Sequence, residues 1–228
     1  EATIMRRTAV LGVLLALGVL AAGCLDQAIG PDRSAPASAT SRFSFEPEQA
    51  AQELVGAAGW ATDPAFASAD KPASGPAAGW IQAFQREVIV GDIVHYSCRL
   101  QVGPGEHDVI GVHRVVRERR PGEPIKTHQS IFMLHGDAVT FAVPFLFGSV
   151  SPHVPDGHSV AVFLAQNNVD VWGIDQTWTL VPATATDFSF MADWGLQHEV
   201  ETLGAGLAVA RATRTATGSG NGKMILVG

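Results

Sequence analysis

QSIFMLHGD at residues 129–137 and SVAVFLAQNNVDVWGID at residues 159–175 decide the fold. Gln129 to Leu134 is a compact apolar run, as expected of a strand buried on both faces, and His135-Gly136-Asp137 ends it. A helix that can be capped within Asp156 to Ser159 is carried by Val160 to Gln166 and stopped by Asn167-Asn168. Val169 to Asp175 then reads as a second buried strand. Strand, helix and strand in that order imply a right-handed crossover and parallel pairing.

Working outward, the same alternation continues toward the C-terminus. Leu196, Val200, Leu203, Leu207 and Ala210 fall at helical spacing and predict one apolar stripe. Gly218 to Gly222 is a turn, and Lys223 to Val227 is a final strand. Toward the N-terminus the period changes to two. Glu87 to Val90 is a short apolar strand, and Val94, Tyr96, Cys98, Leu100 and Val102 share one face of the next. Gly103-Pro104-Gly105 breaks that strand, and Val109 to Val116 returns as its antiparallel partner. Arg117 to Arg120 is read as a solvated strand end before the Pro121-Gly122 turn. The expected fold is α/β: a mixed, mostly parallel sheet with an antiparallel N-terminal hairpin, flanked by helices.

Composition bounds the function classes. Of 228 residues, 46% are hydrophobic and 16% charged, which excludes a disordered chain. Two cysteines, Cys24 and Cys98, are too few for a disulfide scaffold. A net charge of -7 argues against a nucleic-acid partner, which needs a basic face. Cys98 sits on the apolar face of its strand and is read as a small buried hydrophobe.

Residues 5–24 read MRRTAVLGVLLALGVLAAGC. Arg6 and Arg7 precede an uncharged apolar run too short to span a bilayer comfortably, so the segment is read as an export signal. Its end, Leu20-Ala21-Ala22-Gly23-Cys24, resembles a bacterial lipobox, which implies lipidation of Cys24, membrane anchoring at the cell or outer membrane, and a periplasmic or surface location. The expected organisation is 1–23 upstream residues and signal, 24–85 an Ala/Pro/Ser/Gly-rich tether, and 86–228 the domain. Glu48 to Ala58 could make a short helix within the tether.

In open parallel sheets, ligands bind at the carboxyl ends of the strands. Three such ends are visible: His135-Gly136-Asp137, Trp172 to Asp175, and Gly228. Here the motifs acquire a resemblance. IFMLHGD, HSVAVFLAQNNVDVWGID, DFSFMADWGLQHEVETL and KMILVG, in this order, resemble the amino-terminal half of an α/β-hydrolase of the acid-lipase-like branch. The resemblance covers about Glu87 to Gly228. It implies that His135, Gly136 and Asp137 form the oxyanion loop, with the Asp137 N–H as one donor. It also implies that Gly228 is the first Gly of Gly-x-Ser-x-Gly. The nucleophile, acid and general-base His would then lie beyond Gly228, so the chain would be a hydrolase fragment cut before its nucleophile elbow and inactive alone. The substrate class implied is an ester or lipid, with no cofactor and no metal. Ala138 to Phe147 could wall an acyl pocket or form a core loop. The alternative reading is a non-catalytic surface lipoprotein that binds a lipid or protein partner through the apolar Ala138–Val154 region.

Other constellations fail on their residues. His198-Glu199 lacks the second His of a zinc helix, because Thr202 stands there. His153 and His158 have no third ligand nearby. Gly218 to Lys223 is followed by Met224, where a phosphate loop needs Ser or Thr. Gly204-Ala205-Gly206 lies within a helix and is read as a close-packing point. Ser189, His198 and Asp193 lack a nucleophile elbow.

Overall fold

The crossover unit forms as its pattern requires. In a computed structural model, which describes residues 47–60, 81–220 and 222–228, Gln129–Leu134 is strand β5, Val160–Gln166 is helix α4 and Val169–Asp175 is strand β6. The two strands pair in parallel, Ile131 opposite Val171 and Phe132 opposite Trp172. Side chains alternate between the faces. Phe132, Trp172 and Ile174 enter one core, and Met133 and Val171 enter the other.

The antiparallel part precedes this unit. Strand β1 (Ile81–Val90), β2 (Ile93–Gln101) and β3 (Val109–Arg120) pair in sequence, and β3 also takes the two-residue β4 (Glu123–Pro124). Gly91, at φ 58°, makes the tight turn between β1 and β2. The predicted face of β2 is buried throughout: Val94, Tyr96, Cys98, Leu100 and Val102 are each at most 4% exposed. Burial pushes the Cys98 thiol up to about 12, so it stays a thiol at neutral pH.

Strand β3 pairs antiparallel with β6, and β7 (Ile225–Val227) pairs parallel with β5. The spatial order is therefore β1-β2-β3-β6-β5-β7. The chain moves from β5 to β6 on one side and returns past β5 to β7 on the other. The direction of winding reverses at β5, and the helices fall on opposite faces. Helix α4 and the short helices α2 (Ala142–Phe145) and α3 (Phe147–Val150) cover the core of Ile93, Val115, Met133 and Val171. Helices α1 (Pro47–Trp60) and α5 (Leu196–Ala216) cover the core of Leu100, Ile110, Phe132, Trp172 and Ile174.

Three expectations change. The domain reaches back before residue 86: β1 begins at Ile81, and α1 inserts Ala50 and Leu54 into the core. Its polar-rich start, IQAFQR, hid the strand. The Arg117–Arg120 run is the end of β3, with Arg119 and Arg120 exposed as expected before the turn, while Glu118 points inward and is 7% exposed. Glu118 there binds Arg86 and the Tyr96 hydroxyl and accepts the Gly122 N–H at 3.0 Å. The stripe on α5 is partly displaced. Leu203, Leu207 and Ala210 meet the core as expected, but Leu196 and Val200 are exposed, and the buried face also takes His198, Thr202, Ala205, Gly206, Val209 and Thr213. The cause is close approach: a Cβ at Gly206 would lie 2.5 Å from Ile174 Cγ2, so small residues must face the sheet. Finally, Ser159 caps no α4 N–H, and its hydroxyl accepts the Gly148 N–H at 3.0 Å instead. The export signal, Cys24 and the remainder of the expected tether, residues 1–46 and 61–80, lie outside the described residues. No described helix is long and apolar enough to cross a membrane.

Candidate functional site

The carboxyl ends of β5, β6 and β7 lie together where the winding reverses, which is where open α/β sheets leave a crevice. His135-Gly136-Asp137 leaves β5, Gln176-Thr177-Trp178 leaves β6, and Gly228 follows β7 beside the Leu134 carbonyl.

His135 is buried and anchors the first loop. The Gln176 N–H donates to its Nε2 at 3.2 Å, so Nδ1 carries the proton and donates to the Gly136 carbonyl at 2.8 Å. The ring also meets Trp178 edge-on, with centroids 5.9 Å apart. His135 thus shapes the turn and ties it to β6. Gly136 and Asp137 are exposed. Among the described residues the Asp137 N–H has no hydrogen-bond partner. The strained position is not Gly136 but Ala138, at φ 61°. The loop's turn is made by an alanine held left-handed, at a cost of about 1–2 kcal/mol.

The far end of the loop is fixed by residues that the motifs did not point to. The Phe141 N–H donates to Asp175 Oδ1 at 2.7 Å. Asp175 Oδ2 lies 3.1 Å from His113 Nε2. His113 Nδ1 meets His95 Nε2 at 3.0 Å. Burial would raise the Asp175 carboxyl, but His113, the Phe141 N–H and His135 together hold it below the ordinary aspartate range. Burial, reinforced by His113, pushes His95 down to about 3. An acid at the end of β6 was visible in WGID, but its partners are distant in sequence.

Two further groups border the crevice. His198 Nε2 is engaged by the Thr177 hydroxyl at 2.8 Å, and its ring stacks on Trp194 at 4.7 Å. It serves packing in this arrangement, while Ser189 sits exposed on a short turn, its N–H on the Asp187 carboxylate. Glu199, on the first turn of α5, is raised by burial and by the Asp137 carboxylate. The loop therefore has two carboxyl groups, of Asp137 and Glu199, on its rim. The Ala138–Val154 region divides: Phe141 and Leu146 are core, while Val143, Phe147 and Val150 are exposed. A cavity of about 50 Å³ lies elsewhere, among Leu54, Phe84, Tyr96, Val112 and Trp172, and shares no residue with the loop. Among the described residues no cluster of His, Cys, Asp or Glu could hold a metal ion. His153 and His158 are both exposed. The Gly218–Gly220 turn is pinned from within: Ser219 Oγ accepts the Thr127 N–H at 3.2 Å, and its carbonyl accepts Arg214 at 3.2 Å.

No family model matches the chain, and no curated protein matches it. Among solved structures it is similar to one from Sulfolobus solfataricus described as a "putative lipase", at 19% identity and a TM-score of 0.46. The match covers 58% of this chain and 39% of that one.

Proposed function

We propose that this chain is the front part of an exported, membrane-anchored serine hydrolase of the esterase or lipase type. The observation that carries the reading is the strand order β2-β3-β6-β5-β7, with a turn of open backbone N–H at the end of β5 beside the exit of β7. That is where an α/β-hydrolase places its oxyanion loop and its nucleophile elbow. The Asp137 N–H is the oxyanion donor this chain supplies, and such a donor is typically worth about 2.7–4 kcal/mol in the transition state. His135 holds the turn, and Gly136 leaves its face open.

On this reading the nucleophilic Ser follows Gly228 by two places, and the acid and the base come later. Residues 1–228 alone then form no acyl-enzyme. Cys24 carries the lipid, and the substrate is an ester or lipid. The coding sequence beyond Gly228 tests this directly. It is expected to continue x-Ser-x-Gly, with an acid and a His downstream; any other continuation sinks the reading.

Exposed Val143, Phe147 and Val150 on α2 and α3 favour one alternative, a non-catalytic lipoprotein that binds a lipid or protein through these helices. A stop codon after Gly228, with cooperative unfolding of residues 1–228, would favour it.

A further inference from the structure

The loop from His135 to Phe141 is tied at both ends to the carboxyl end of β6. At its start, His135 Nε2 takes the Gln176 N–H. At its end, the Phe141 N–H meets Asp175 Oδ1. Between the two ties, Gly136 and Asp137 face solvent.

Asp175 sits in a seat built for it. Its register partner on β3 is Gly111, where a Cβ would fall 2.8 Å from the Asp175 Cβ and 2.9 Å from Oδ2. Only glycine leaves room for the carboxylate there. Its neighbour His113 stacks flat on the Phe141 ring, 4.7 Å between centroids and 7° between planes. The Phe141 ring lies over Gly173, where a Cβ would be 2.3 Å from two ring carbons. Side chain, backbone and ring of this corner are therefore fixed by the same few residues. Asp175 is 7% exposed, and its two oxygens divide their work. Oδ1 holds the loop, and Oδ2 faces the His113–His95 pair. A carboxylate buried only to knit strands together would have no need to spend an oxygen on a loop N–H.

We infer that Asp175 is a positioning residue: through the Phe141 N–H, and backed by His113 and His95, it sets where the Asp137 N–H stands in the crevice. The oxyanion part of this inference rests on the hydrolase reading; the clamp itself does not. The groups facing Asp175 are His113 from β3 and His135 from the loop after β5, with His95 from β2 behind His113.

Backbone amide NMR on the full chain tests it. In the unaltered protein, the Phe141 amide proton shift is expected to titrate with Asp175 in acid, moving upfield as the charged acceptor is neutralised. In Asp175→Asn the titration disappears, but Phe141 hydrogen exchange stays within about threefold, because Oδ1 still accepts. In Asp175→Ala, Phe141 exchange rises at least about tenfold beyond any change in the β5 and β6 ladder amides. A Phe141 shift indifferent to acid overturns the clamp. So does an Ala variant in which protection falls evenly across β5 and β6. The titration needs no variant to fold. Phe141 behaving as expected, with no ester turnover from the protein continuing past Gly228, overturns the hydrolase reading and leaves the clamp standing.

Discussion

Asp170 is a buried carboxylate shared by two buried arginines, Arg114 and Arg214, and Asp170→Asn should expose how much it holds. Its side chain is fully buried, at the amino end of β6. It accepts from Arg114 Nε at 2.8 Å and a terminal nitrogen at 3.0 Å, and from Arg214 at 2.7 Å. Arg214 is 1% exposed and Arg114 6%, so neither guanidinium can turn to water. Arg214 also reaches the Thr127 hydroxyl and carbonyl, and thereby ties the last turns of α5 to the entry of β5. Asparagine keeps the shape but removes the charge and sets N–H donors against two cations. Breaking a buried ion pair by removing one partner costs about 3–5 kcal/mol, against a total stability of about 5–15 kcal/mol. For a unit of this size each kcal/mol shifts Tm by roughly 2–4 °C, so a fall of about 6–20 °C is expected. Urea unfolding followed by tryptophan fluorescence measures it, since Trp172 is buried beside Arg114, 4.9 Å from ring centroid to guanidinium carbon. A loss under about 1 kcal/mol would refute the reasoning. The Phe141 amide should keep its position in this variant, because Asp170 is at the opposite end of β6 from Asp175.

Three other outcomes are expected. Gly173→Ala should destabilise by about 1–3 kcal/mol, through collision with the Phe141 ring, and should disturb the loop more than the same change at exposed Gly204, where there is open space. Acid should weaken the fold in two stages with one sign. His95 is held down to about 3, so the unfolded chain binds its proton first, and stability falls from about pH 6.5 downward by up to ~1.4 kcal/mol per pH unit. Asp175 is also depressed, so its contribution is intact above about pH 3.9 and is lost as pH falls through its folded value. Urea titrations across pH 3–8 should show the upper slope flattened in His95→Gln; an unchanged slope counts against the assignment. The third outcome concerns β7, an edge strand in the described sheet with Ile225 66% and Leu226 51% exposed. Residues 1–228 should self-associate, and Leu226→Lys should reduce that by sedimentation; a clean monomer before the change would refute it.

The central layer was legible because its signals are local. Apolar runs bounded by Gly and Asn fixed β5, α4 and β6 to the residue. Strict alternation on β2 announced the face that is buried. Helix α5 was legible at Leu203, Leu207 and Ala210 but misjudged in its first turns, where Leu196 and Val200 point outward; Thr202, Gly206 and Thr213 meet the sheet, and spacing alone does not reveal how close two elements lie. The same limit applies to the site. His135, Gly136 and Asp137 stand together in the chain, so the loop they form after β5 was legible as a loop. The clamp on their far side joins His95, His113, Phe141 and Asp175 from β2, β3, a loop and β6, and only pairing register brings them into contact. Ala138 carries no glycine to advertise its left-handed turn.

Ester hydrolysis tests the central claim most directly. The protein that continues past Gly228 and residues 1–228 alone would be assayed side by side with p-nitrophenyl esters, with and without a serine-reactive inhibitor. The account predicts inhibitor-sensitive turnover by the longer protein and none above a denatured control for residues 1–228. Turnover by residues 1–228 themselves, or none by either, would contradict it.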